Sequence, residues 1–113
     1  MLINFSNHPS SKWSEKQLQV AQIAYGPIKD IAFPPVDPQG SSTYIQNLAN
    51  EYLSIILSQT DIKAVHVMGE STLCFALIVM LKQRGIKCLA STTKRVITPE
   101  GVPIFTFEQF REY

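Results

Sequence analysis

Charge is scarce in this sequence. Ten basic and nine acidic side chains among 113 residues leave a formal charge of +1. No global field draws nucleic acid to such a surface, so no duplex partner is expected and phosphate binding must come from local groups. Cysteine is scarce too. Cys74 and Cys88 both lie inside apolar segments, the pattern of reduced, buried thiols in a cytoplasmic protein rather than of a disulfide framework. Two cysteines and two histidines share no ligand spacing, which predicts no metal site. Gly69 stands alone in its loop, which excludes a dinucleotide fingerprint, a P-loop and a nucleophile elbow. No cationic start precedes an apolar leader, because Asn4, Ser6, Asn7 and His8 interrupt the opening. The longest apolar run, Leu73 to Leu81, is half a membrane span and is closed by Lys82 and Arg84. No membrane partner is expected. Repeats, linkers and low-complexity stretches are also missing, and the length is that of a single domain over residues 1–113.

What is present is one move made several times: an apolar strand runs out into small polar residues, and a helix usually follows. Leu2–Ser6 leads into Asn7 to Trp13, and Ser14 is placed to cap a helix that stops at Gly26-Pro27. Ile28 to Phe33 reads as a second strand, broken by Pro34-Pro35. The next helix has the best periodicity, with Ile45, Leu48, Ala49, Tyr52, Leu53 and Ile56 on one face. It ends near Ser58. The strand Ile62 to Met68 then meets Gly69-Glu70-Ser71-Thr72 and a third helix from about Ser71 to Arg84. Ile86 to Ala90 is a fourth strand, and Ser91 to Arg95 reads as the polar loop at its end. Val96-Ile97 and Val102 to Phe107 flank Thr98-Pro99-Glu100-Gly101, a hairpin turn signal.

The order β-α-β-α-β-α-β with a terminal β element predicts an α/β protein. Its sheet is Rossmann-like, open and mostly parallel, with three helices and a C-terminal β-hairpin at the edge. Strand order 2-1-3-4 puts a switch point between the first and third strands, where ligands bind at the carboxyl ends.

Candidate site residues follow from that edge. His8 lies in a switch-point loop and suits acid–base work, though a loop histidine held by backbone is the plainer reading. Asn7, Ser10 and Ser11 share its loop, and Trp13 either stacks on a base or staples the loop to its helix. His66 alternates with Val65 and Val67 and reads as a core histidine. Gly69 permits a tight turn, and Ser71 or Thr72 caps the third helix while its amides face an anion. Glu70 serves as a base, a ribose ligand or a helix-stabilising charge. Ser91, Thr92, Thr93, Lys94 and Arg95 form the most phosphate-friendly stretch, three hydroxyls followed by two cations. Against a ligand stands the simpler alternative of an exposed turn.

The opening Met1-Leu2-Ile3-Asn4-Phe5-Ser6-Asn7-His8-Pro9 resembles small Rossmann-like proteins associated with CRISPR systems. Some of these are ring nucleases, which bind cyclic oligoadenylate messengers and cleave them to end an antiviral signal. The resemblance is specific over the opening and architectural beyond it. It implies no cofactor and no metal: the ribose 2′-hydroxyl attacks its neighbouring phosphate in line, while the protein orients the ribose and stabilises the phosphorane. The leading reading is a cytoplasmic homodimer that takes a cyclic oligoadenylate or similar anionic nucleotide, with metal-independent phosphodiesterase activity. A non-catalytic nucleotide sensor is one alternative. The other is an adaptor that docks a partner protein through its third helix.

That helix carries a message of its own. Leu73-Cys74-Phe75-Ala76-Leu77-Ile78-Val79-Met80-Leu81 is apolar all round, whereas a helix on a sheet buries one stripe. Cover comes from self-association or from the C-terminal segment, and a dimer is the expectation. Light scattering at micromolar concentration should therefore return the mass of two chains. A charge at an outward position, read here as Met80, should weaken association more than it disturbs the fold.

Overall fold

The computed structural model describes every residue from Met1 to Tyr113. All of β1 (Leu2–Ser6) is buried, because it pairs on both sides with parallel neighbours. These are β2 (Ile28–Ala32) and β3 (Ala64–Met68). β4 (Cys88–Ile97) continues the parallel set, and β5 (Pro103–Glu112) returns antiparallel to it. The order is β2-β1-β3-β4-β5. The chain is an α/β fold with three helices and a mixed, mostly parallel five-stranded sheet that ends in an antiparallel hairpin. The switch point lies between β1 and β3, as the element order predicts.

Local chemistry explains the helix ends. Ser14 caps α1 (Glu15–Tyr25) by accepting from the Gln17 amide at 3.1 Å, and Gly26 ends it at φ 87°, a value that glycine adopts without strain. Ser41 caps α2 (Ser42–Leu57) in the same way through the Tyr44 amide. α2 and α3 (Ser71–Gln83) share one face of the sheet, over Ile3, Phe5, Val65 and Val67. α1 and Trp13 cover the other face, over Leu2, Ala64 and Leu89. Alternation along β1 therefore sends Ile3 and Phe5 one way and Leu2, Asn4 and Ser6 the other. No helix is long and apolar enough to cross a membrane.

The all-apolar α3 is mostly covered from within. Leu73, Cys74, Leu77, Ile78 and Leu81 are buried, with α2 on one flank and the C-terminal residue on the other. Tyr113 donates its hydroxyl to the Val67 carbonyl at 2.7 Å, and Lys82 reaches the Tyr113 carbonyl at 2.8 Å. Met80 does not face outward: it packs against the core, and its sulfur accepts from Gln46 at 3.5 Å. The outer strip is Phe75, 72% exposed, with Val79 at 39%. A charge meant to probe association belongs at Phe75.

The largest departure from expectation is at the hairpin. Ser91 to Arg95 is not a loop; these residues lie inside a ten-residue strand. Thr92, Thr93, Val96 and Ile97 are β-branched and suit extended backbone, and β5 supplies partners along the whole length. Leu89 is the last β4 residue paired to β3. Beyond it a two-stranded arm projects past the carboxyl edge. The radius of gyration is 15.0 Å, against about 13 Å for a compact chain of roughly this length, and the arm accounts for the excess.

A bulge shapes that arm. Thr92 pairs with Gln109 and Thr93 with Phe107, so Glu108 is skipped. The skip puts Phe107 and Phe110, three residues apart, on one face, with ring centroids at 5.0 Å. Without it, one of them would point away from the sheet.

Gly69, at the end of β3, earns its place by packing. A Cβ there would lie 2.5 Å from the Phe33 ring, which is itself stacked on Phe5 at 4.8 Å. Gly69→Ala is expected to cost about 1–3 kcal/mol by overpacking, read as a lower urea midpoint at unchanged slope.

Candidate functional site

At the carboxyl half of the sheet, the face covered by α1 turns polar. Asn4 stands in register with Asp30 on one side and His66 on the other, at the middle of three parallel strands. Its amide nitrogen donates to Asp30 Oδ1 at 2.8 Å and to the His8 carbonyl at 3.0 Å. Its carbonyl oxygen accepts from Ser6 Oγ at 2.8 Å and from His66 Nδ1 at 2.9 Å. All four hydrogen-bonding positions of the carboxamide are used. The far nitrogen of His66 lies 3.2 Å from Ser91 Oγ. One row thus links Asp30, Asn4, His66 and Ser91 across four strands.

The β1–α1 loop is pinned to this row. The His8 carbonyl also accepts from the Trp13 indole at 3.0 Å and lies 3.0 Å from Ser6 Oγ, while the His8 amide donates to Ser6. Asp30 accepts from the Ser10 amide at 3.2 Å and from its hydroxyl at 2.8 Å. The backbone of His8 is fixed and its ring is left exposed.

A pocket of about 580 Å³ opens over the row. Ser6, His66, Met68 and Ser91 form its floor, and Asn7, His8, Lys12, Trp13 and Gln17 one wall. The arm supplies the other wall through Thr93, Phe105 and Phe107. His66 is buried, with Trp13 edge-on at 5.3 Å and Phe110 at 5.6 Å. Burial, assisted by the charge of His8, pushes its pKa down to about 4. The imidazole is therefore neutral near pH 7, with a lone pair for proton transfer. The pocket offers that base, several hydroxyls, one lysine and the exposed ring of Phe105.

A family model described as "Uncharacterized protein MJ1673 family" matches residues 1–111. The chain belongs to that family. Among curated proteins no match to the chain is found. The family match covers every residue of the row and the pocket, so in this MJ1673-family chain the whole site falls within one matched segment.

The pocket gathers part of the set that the sequence singles out. Asn7, His8, Ser91 and Thr93 line it. Ser10 is engaged by Asp30, and Ser11 is exposed outside the lining. Thr92 bonds the Gln109 backbone at the bulge. Arg95 pairs with Phe105 and so shares the pocket face of the arm beyond the lining, whereas Lys94 pairs with Thr106 on the opposite face. Gly69, Glu70, Ser71 and Thr72 lie outside the pocket. Glu70, rather than Ser71 or Thr72, caps α3: its carboxylate accepts from the Thr72 and Leu73 amides at 3.1 and 2.9 Å. Those bonds, the Leu73 amide first, hold its pKa below the usual range. The amides that an anion would need are occupied by the chain's own carboxylate. Cys74 and Cys88 are free and buried, and burial raises both thiols to about 11.

Sequence reading of single residues misses the row. Asn4 and His66 each look like a single polar residue between apolar neighbours, and Asp30 like one of a charged pair with Lys29. The available signal is their common position, the third residue of three parallel strands.

Titration should expose the buried histidine. A histidine with a depressed folded pKa stabilises the fold fully above about pH 6.5, and that stability is lost as pH falls toward 4. The loss comes to about 3 kcal/mol at about 1.4 kcal/mol per unit. Denaturant titrations from pH 7 to 4 should show this slope in the natural chain and lose most of it in His66→Gln.

Proposed function

We propose that this chain is a Rossmann-like, cytoplasmic homodimer that binds a cyclic oligoadenylate in the carboxyl-edge pocket and cleaves it without a metal, acting in the antiviral signalling of CRISPR systems. The observation that carries the reading is the composition of the pocket at the β1/β3 switch point. A neutral base, hydroxyls, a cation and an exposed aromatic ring converge there. The resemblance of the opening Met1 to Pro9 supports the same ligand class, and the pocket wall begins in that segment. Lys12 serves as a phosphate contact, and Phe105, 65% exposed, as a stacking platform for adenine. His8 takes part in proton transfer from the pocket rim.

In-line attack by a ribose hydroxyl needs no group beyond those present. Orientation by hydroxyls and stabilisation of the phosphorane by cations lower the barrier, and both are local. A two-fold dimer suits a symmetric ring. The exposed strip of Phe75 and Val79 on α3 supports self-association.

The deciding assay incubates pure protein with cyclic tri-, tetra- and hexa-adenylate, with and without EDTA, and resolves the products by chromatography. Cleavage of at least one ring, unchanged by EDTA, is expected. Binding without products would leave a nucleotide sensor, and no binding of any ring would leave the adaptor reading. Lys12→Ala should weaken ring binding about tenfold or more, the worth of one charge-assisted contact. Arg95→Ala, on the pocket face of the arm, should weaken it too. Lys94→Ala, on the opposite face, should not. His8→Ala should lower turnover with affinity nearly intact.

A further inference from the structure

We propose that Ser91 and His66 form the proton-accepting pair of the pocket, with Asn4 as the positioning residue that keeps the His66 lone pair on Ser91. The proposal rests on the cyclic nucleotide reading above and names the groups that would perform its first step.

The Asn4 carboxamide has only one orientation that satisfies its neighbours. The Asn4 nitrogen faces two acceptors, Asp30 Oδ1 and the His8 carbonyl. Flipping the group would set its oxygen against both. The oxygen therefore faces His66, so Nδ1 must carry the proton and donate it. Nε2 is left with its lone pair, and the group before it is Ser91 Oγ at 3.2 Å. Ser91 has a second neighbour, the Met68 sulfur, at 3.0 Å from Oγ and 3.3 Å from its amide. A thioether is a weak acceptor, so the hydroxyl proton goes to the imidazole while Met68 holds the serine in position. His66 is 2% exposed and a bulky ligand cannot reach it directly. Ser91 is half-buried and lines the pocket, so contact runs through the serine.

The chemistry balances without an added reagent. A ribose 2′-hydroxyl gives its proton to Ser91 Oγ as Ser91 passes its own to His66 Nε2. The 2′-oxygen bonds to the adjacent phosphorus, and the bond from phosphorus to the 5′-oxygen breaks. That oxygen takes a proton from His8 at the rim, which enters the step as imidazolium and leaves it as neutral imidazole. The products are a 2′,3′-cyclic phosphate and a 5′-hydroxyl on a linear chain. Two basic groups face His66 across the pocket, His8 and Lys12, and Asp30 acts on it through Asn4. A phosphate drawn in beside them opposes the effect of His8 and makes His66 a better base when ligand is bound.

The test separates binding from turnover. Binding is measured with a cyclic tetra-adenylate methylated at every 2′-oxygen, which cannot react, and cleavage with the native ring in single turnover. Ser91→Ala and His66→Gln should bind the methylated ring within about threefold of the natural chain and cleave at least about a hundredfold more slowly. Ser91→Thr, which keeps a hydroxyl, should recover most of the rate, and the double variant should be no slower than either single one. Asn4→Asp should move the acid limb of the pH–rate profile to higher pH, because a carboxylate on Nδ1 strengthens the base; a purely structural asparagine would not do this. Cleavage by Ser91→Ala at the natural rate overturns the pair, whether or not the His66 variant folds. A natural chain that binds the methylated ring but leaves the native one intact overturns it as well, while binding stands. A chain that binds neither ring removes the parent reading instead.

Discussion

The Asn4 carboxamide is the constraint on which the site depends. It lies in the strand with neighbours on both sides, and each of its four hydrogen-bonding positions is taken by a different structural unit. Asp30 belongs to β2, His8 to the loop before α1, Ser6 to β1 itself and His66 to β3. Leaving any one of these partners unpaired in a buried setting costs about 1–3 kcal/mol. No buried polar side-chain atom lacks a partner, so the network is complete. It does two jobs with one group: it ties the switch-point loop down, and it fixes which nitrogen of His66 faces the pocket.

The arm supplies what the sheet cannot. A parallel sheet ends in loops at its carboxyl edge, and here two of these are committed to internal bonds: Glu70 fills its own helix terminus, and Ser10 answers Asp30. The open wall of the pocket comes instead from strands that overshoot the sheet. The bulge at Thr92 and Thr93 determines which side chains form that wall. By skipping Glu108 it keeps Phe107 over the pocket while Phe110 packs beneath, against Trp13 and Tyr25.

Most of the framework was legible from local rules. Ser14 and Gly26 mark α1 from the sequence, the stripe from Ile45 to Ile56 marks α2, and the β-α alternation implies a mostly parallel sheet. Legibility ended where long-range pairing decides structure. Ser91 to Arg95 looks like a loop because serine, threonine and paired cations commonly form turns, and only β5 makes it a strand. Met80 looks outward on a helix that is apolar all round, and only the position of α2 turns it inward. The alternation of His66 with Val65 and Val67 marks it as buried, yet its link to Asn4 spans 62 positions and leaves no local trace. The β1–α1 loop is legible in part: His8 and Asn7 reach the pocket, and Ser11 does not.

The position of β1 has a consequence for how the chain matures. It is the first strand in sequence but sits inside the sheet, so one of its edges stays open until residues 64 to 68 arrive. Such distant pairing closes a long loop and slows folding. During synthesis α1 and β2 can form around β1 early, but the segment that carries Asn4 has no His66 to hold until more than half the chain exists. Ser91 and the arm come later still. The wall from Asn7 to Gln17 belongs to the early part of the chain, and the pocket is completed only when His66, Ser91 and the arm are added to it.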